Sequence, residues 1–118
     1  TFSTEKRREP RIPVELPVEL FSKRHIRKTS TVNLSLHGMQ TLWVDKNAIQ
    51  YIINSFQENK SPFSTCRLYL NDETNEYINI PVVLQYIARQ KGRPTLIGFE
   101  FRNLNLSLNS KLYTIIAK

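Results

Sequence analysis

From Arg11 to Phe21 the chain reads RIPVELPVELF, with an apolar residue at every second position. Ile12, Val14, Leu16, Val18 and Leu20 share one face, while Pro13, Glu15, Pro17 and Glu19 share the other. A period of two is that of a half-buried strand. The two prolines bring no N–H to a ladder, so this strand is expected to carry an irregular stretch along one edge. SKRH, Ser22 to His25, supplies a turn, and Ile26 to Asn33 is expected to return as a second strand. NLSLHG, Asn33 to Gly38, breaks the pattern before MQTLWV resumes it. The period then changes. Ile49, Ile52, Ile53 and Phe56 recur at helical spacing behind Asp45, which predicts an inserted helix over about Asp45 to Glu58, capped by Asp45 and ending before Ser61-Pro62. Further strands are expected at about Thr65 to Leu70, Tyr77 to Arg89 and Thr95 to Phe101. In the long middle one, Ile78, Ile80, Val82, Leu84 and Tyr86 share a face. A last stripe, Leu108, Leu112, Ile115 and Ile116, predicts a short terminal helix capped by Ser107.

Six strands in hairpin succession, with an inserted helix and a terminal helix, predict an all-β fold: a small six-stranded antiparallel barrel, which leaves no exposed edges. The 118 residues suit one domain, 1–118, and since the chain opens at Thr1 we read it as cut from a longer protein. A single cysteine, Cys66, is expected to pack in the core of a protein from a reducing compartment, and Trp43 to pack likewise. No apolar run is long enough to span a bilayer.

The net charge of +7 points to an anionic partner: nucleic acid, a nucleotide or an acidic membrane face. KRREPR, Lys6 to Arg11, concentrates four basic side chains beside the first strand, as a solvated arm, a nucleic-acid contact or half of a ligand site. Pairing the first two strands as a hairpin brings Arg11 opposite Leu36 to Gly38, at the same end as NLSLHG. Arg89, Lys91 and Arg93 bracket a turn of their own. Asn33 offers an amide, Ser35 a hydroxyl, and Gly38 a position open to positive φ or to a close backbone. An arginine fork grips phosphate or the O6/N7 edge of guanine and also stacks on a base. His25 and His37 lie in no nucleophile motif, and with one cysteine they make no common zinc site, so no enzyme, cofactor or metal is expected.

RREPR followed by NLSLHG resembles the two signatures of the PilZ family, RxxxR and [D/N]xSxxG, and LIGFEF at Leu96 to Phe101 resembles its late strand, so that the likeness covers essentially the whole chain. The resemblance implies a bacterial cytoplasmic receptor for the second messenger cyclic di-GMP. Arg7 and Arg11 would contact phosphate and guanine, Asn33 and Ser35 the guanine edge, and Gly38 would allow the turn. Lys6 and Arg8 are secondary candidates. Lys6 holds the place that influences whether one ligand or an intercalated pair binds, which leaves stoichiometry open. Residues 1–11 are expected to be a mobile arm that ligand orders, signalling to an adjacent domain or effector protein, with homodimerisation also open. Two other readings stand beside this one: a basic barrel for single-stranded nucleic acid, and a PilZ adaptor without ligand. The first is disfavoured because most aromatics fall on predicted core faces.

Overall fold

A computed structural model describes residues 11–71 and 73–117. The elements run β1 (Ile12–Pro13), β2 (Pro17–Phe21), β3 (Ile26–Leu34), β4 (Gly38–Trp43), α1 (Lys46–Gln57), β5 (Thr65–Tyr69), β6 (Tyr77–Ala88), β7 (Thr95–Phe101) and α2 (Leu106–Ile116). All pairings are antiparallel, and contact between β3 and β4 closes the sheet. β1 and β2 lie along the same edge of β3 and form one interrupted stave, so the barrel has six. The interruption falls between the two prolines. There backbone bonds persist from the Val14 N–H to the Val32 carbonyl and from the Thr31 N–H to the Leu16 carbonyl, and a hydroxyl fills the gap between them: the buried Thr31 Oγ1 accepts from the Leu16 N–H at 2.9 Å and donates to the Val14 carbonyl at 2.5 Å.

Around the barrel the order is β3, β2, β5, β6, β7, β4. β4 and β5 are therefore diametrically opposed, and the segment joining them crosses one pole of the barrel. That segment is α1, and its crossing is the reason the hairpin succession is broken by a helix. Asp45 caps it, accepting from the N–H groups of Asn47 and Ala48. Ala48 and Ile52 bear on the core, Ile49 and Ile53 are half-buried, and Phe56, expected in the same stripe, is exposed. Phe63, just before β5, stands between the rings of Trp43, Tyr51 and Phe99. α2 lies at the other pole, with Leu112 and Ile116 buried. Its cap is Asn105, whose side chain accepts from the Leu108 N–H; Ser107 lies inside the first turn, so the helix begins earlier than its apolar stripe suggests.

Three expectations shift. Ile12 pairs with Leu34 and Pro17 with Ser30, so Arg11 lies level with Ser35, rather than opposite Leu36 to Gly38. Tyr86 leaves the face of Ile78, Ile80, Val82 and Leu84, because the register slips between Leu84 and Tyr86. The aromatics divide: Trp43, Phe63, Phe99 and Phe101 are buried, whereas Phe21, Tyr69 and Tyr77 lie outside around Arg67. The Arg67 guanidinium sits 4.5 Å from the Tyr77 ring and 5.3 Å from that of Phe21, while Glu19 takes the Tyr69 hydroxyl at 2.8 Å. Cation–π contact of this kind makes an outward aromatic worthwhile.

Thr31→Val keeps the shape but strands the Leu16 N–H and the Val14 carbonyl; unfolding by urea is expected to show a loss of about 2 kcal/mol. Burial pushes the Cys66 thiol from 9.0 to about 12. Between these values only the unfolded chain ionises at Cys66, so its contribution to stability is full below about pH 9 and falls as pH rises toward about 12. Urea midpoints across that range should drop further for the parent chain than for Cys66→Ala.

Candidate functional site

Two β-bulges build the candidate site. In β3 the register against β4 shifts between Thr31 and Asn33, leaving Val32 as an extra residue. Thr31 faces the core and, after the bulge, so does Leu34; Asn33 is thereby turned outward. In β6 Gln85 is the extra residue, and it turns Tyr86 outward in the same way. A bulge reverses the alternation of everything beyond it.

The two outward residues fall on one rung. Pro13 pairs with Asn33, Asn33 with Gln40, Gln40 with Gly98, and Gly98 with Tyr86. Asn33 Nδ2 donates to Gln40 Oε1 at 2.9 Å, and Gln40 Nε2 donates to the Tyr86 hydroxyl at 2.9 Å. The amide of Asn33 is thus held by one end only. Its Oδ1 is buried and has no hydrogen-bond partner among the described residues. Gly98 is what lets the rung close: a Cβ there would stand 2.2 Å from the Tyr86 ring.

One step toward the α2 pole lies the turn Ser35 to Gly38. The Ser35 N–H donates to the Gly38 carbonyl at 2.9 Å, and Ser35 Oγ accepts from the His37 N–H at 3.2 Å. The hydroxyl's own bond to the Gly38 carbonyl is long, 3.4 Å. Gly38 has no positive φ; its requirement is a close backbone, since a Cβ would meet the Phe99 carbonyl oxygen at 2.4 Å. Arg11 has the outward parity of Pro13 and is half-buried, and its guanidinium makes no ion pair or hydrogen bond among the described residues. Beyond the turn an open hollow of about 940 Å³ runs between His37, Glu100, Arg102 and the Tyr113 face of α2.

The structure thus brings together Arg11, Asn33, Ser35 and Gly38. Lys6, Arg7 and Arg8 lie outside the described residues. Gln40, Tyr86 and Gly98 were missed from sequence, because strict alternation put Tyr86 on the core face and nothing marked Gln40 within its strand. Among the described residues no three His, Cys, Asp or Glu side chains cluster as a metal site. No helix among them is long and apolar enough to cross a membrane.

A family model for the PilZ domain matches residues 5–118. The chain belongs to the PilZ family. Among solved structures, the PilZ domain of YcgR from Escherichia coli with c-di-GMP superposes with a TM-score of 0.69 at 16% identity, over 95% of this chain and 89% of that one. Longer YcgR in complex with c-di-GMP gives 0.70 at 18%, over 95% of this chain and 45% of that one. The Bacillus subtilis inhibitor of motility MotI/DgrA gives 0.65 at 17%, covering 92% and 48%. At these identities the likeness is one of PilZ fold. The PilZ chain spans about half the length of MotI/DgrA and of the longer YcgR chain. No curated protein matches it.

The fit of Tyr86 over Gly98 is tested by a double-mutant cycle. Gly98→Ala should cost about 1–3 kcal/mol in the parent, because the ring must swing off the rung, and less than about 0.5 kcal/mol in a Tyr86→Ala background. Equal costs in both backgrounds would show that the ring is not what Gly98 accommodates.

Proposed function

We propose that this PilZ domain is a receptor for cyclic di-GMP, held on the outer rung at Asn33 and gripped by the arginines of RREPR. The observation that carries the reading is the buried Oδ1 of Asn33, which has no hydrogen-bond partner among the described residues, with Arg11 two residues further along the same edge, level with Ser35 and making no ion pair among those residues. Guanine offers N1–H and N2–H₂ on its Watson–Crick edge, and a fixed amide oxygen is the acceptor they need. Arg11 supplies a planar fork for a phosphate or for guanine O6/N7. Ser35 exchanges its long bond to the Gly38 carbonyl for one to the ligand. Tyr86 and Gln40 wall the far side, and the Tyr86 ring offers a face to a purine.

By family resemblance Arg7 is the first motif arginine and Arg11 the second, with Lys6 and Arg8 beside Arg7. Their capture of a dianion orders residues 1–11, and that ordering is the output passed to an adjacent domain or effector protein. The role is regulatory rather than catalytic, in a bacterial cytoplasm. Support comes from the complete pair of signatures, from the family match, and from two YcgR structures described as holding c-di-GMP.

Titration calorimetry of the chain with cyclic di-GMP at low salt tests it. Saturable binding is expected; Arg11→Ala and Asn33→Ala should each weaken it roughly 10- to 100-fold, and Arg93→Ala should leave it intact. Equal loss from Arg11→Ala and Arg93→Ala would reduce the interaction to nonspecific charge. Hydrogen exchange over Phe2 to Arg11 that is identical with and without ligand would refute the ordering step alone.

A further inference from the structure

The net charge of +7 is not spread over the barrel. Three connections meet at the α1 pole: the β2–β3 turn, the crossing segment with α1, and the β6–β7 turn. Lys23 and Arg24 lie in the first, Lys46 and Lys60 bracket the helix, and Arg89, Lys91 and Arg93 ring the last. Against these seven cations stand two acids, Asp45 and Glu58, which leaves five of the seven net positive charges at this pole. Both acids are already engaged. Asp45 caps α1, and Glu58 pairs with Lys60 at 3.2 Å. The other six cations are exposed and make no ion pair among the described residues. By sequence, the segments of the α2 pole, 35–37, 70–76 and 102–118, carry three cations and three acids and are neutral.

Apolar surface accompanies the charge. Val44, where the chain leaves β4 for α1, is 73% exposed; Ile26, at the end of the β2–β3 turn, is 59% exposed; and Phe56, in the last turn of α1, is 45% exposed. We propose that the α1 pole docks on an anionic phospholipid bilayer surface. Basic side chains beside protruding apolar ones are what such a surface selects: the cations meet its negative potential while the apolar side chains enter the headgroup boundary. The charges stand on three separate connections on both sides of a helix, and a fluid layer of headgroups rearranges to meet them. Single-stranded nucleic acid asks for aromatic platforms, and the exposed apolar residues here are two aliphatics and one phenylalanine. Docked this way, the barrel turns the Asn33 rung and the α2 pole toward solvent.

Sedimentation of the full chain with vesicles of phosphatidylcholine alone, and of phosphatidylcholine mixed with phosphatidylglycerol, tests the proposal without any nucleotide present. Binding is expected to the anionic vesicles only and to weaken with salt. Lys23→Glu with Arg24→Glu should lower the partition coefficient at least about tenfold, and so should Arg89→Glu with Arg93→Glu. Arg102→Glu with Lys111→Glu changes the charge equally at the other pole and should stay within about twofold of the parent. Ile26→Ser with Val44→Ser should keep binding at low salt and lose the fraction that survives added salt. Circular dichroism of each variant verifies folding, and the two charge-reversal pairs flanking α1 are independent of each other. Absence of anionic-vesicle binding would overturn the proposal. Equal loss from the Arg102/Lys111 variant would do so too, as would tighter binding to an oligonucleotide with the same dependence on the α1-pole residues.

Discussion

In a closed sheet every residue points in or out, and one inserted residue reverses the choice for all that follow. That constraint governs this domain. Between the Ser30 and Asn33 rungs the β1–β2 stave uses four residues, β3 three and β4 two, so the rungs fan and the wall bends. Without the bulge at Val32, Asn33 would point into a core that includes Met39 and Phe99, where an amide lacking partners costs about 1–3 kcal/mol. Without the bulge at Gln85, Tyr86 would follow Leu84 inward and Gly98 would have no ring to accommodate. The candidate site exists because two strands each break step once.

On the proposed reading, the hydrogen-bond chain from Tyr86 through Gln40 to Asn33 accommodates either residue that the [D/N]xSxxG signature admits at position 33. That reading asks residue 33 for one group toward Gln40 and one free oxygen. Asn33 meets this with Nδ2 to Gln40 and Oδ1 left over. An aspartate would meet it with the Gln40 amide reversed. The difference is charge: on the proposed reading, asparagine keeps an anion away from the ligand phosphates, so Arg11 is not drawn into an ion pair with residue 33.

Much of this was legible in the sequence. Alternation from Ile12 to Leu20 marked the first stave, and Asp45 marked the start of α1, because periodicity and capping are local and the barrel respects them. The six-stave closure followed from short connections together with the need to remove exposed edges, and the shared end of Arg11 and the Ser35 turn followed from pairing the first two strands as a hairpin. What was not legible depends on pairs far apart in the chain. No local signal places a bulge at Gln85, so Tyr86 looked like core. Nor did anything single out Gln40, whose meaning comes from Asn33 on one side and Tyr86, 46 positions away, on the other. Asn105 was overlooked as a cap because the apolar stripe begins three residues later, at Leu108.

A close-packed, hydrogen-bonded barrel does not pass a small displacement from one pole to the other by bending, since its interior is nearly incompressible and its ladders fix the strand positions. On the receptor proposal a ligand seated on the outer rung acts where it touches, on the Arg11 end of the stave and on the Ser35 turn, away from α1, which is joined to the core by Ala48, Ile52 and the ring cluster at Phe63. The two concentrations of positive charge in the sequence then have separate work on the two proposals. On the receptor proposal the charges preceding Ile12 answer to a diffusible dianion; on the docking proposal those around α1 face an anionic surface and set the orientation of the domain.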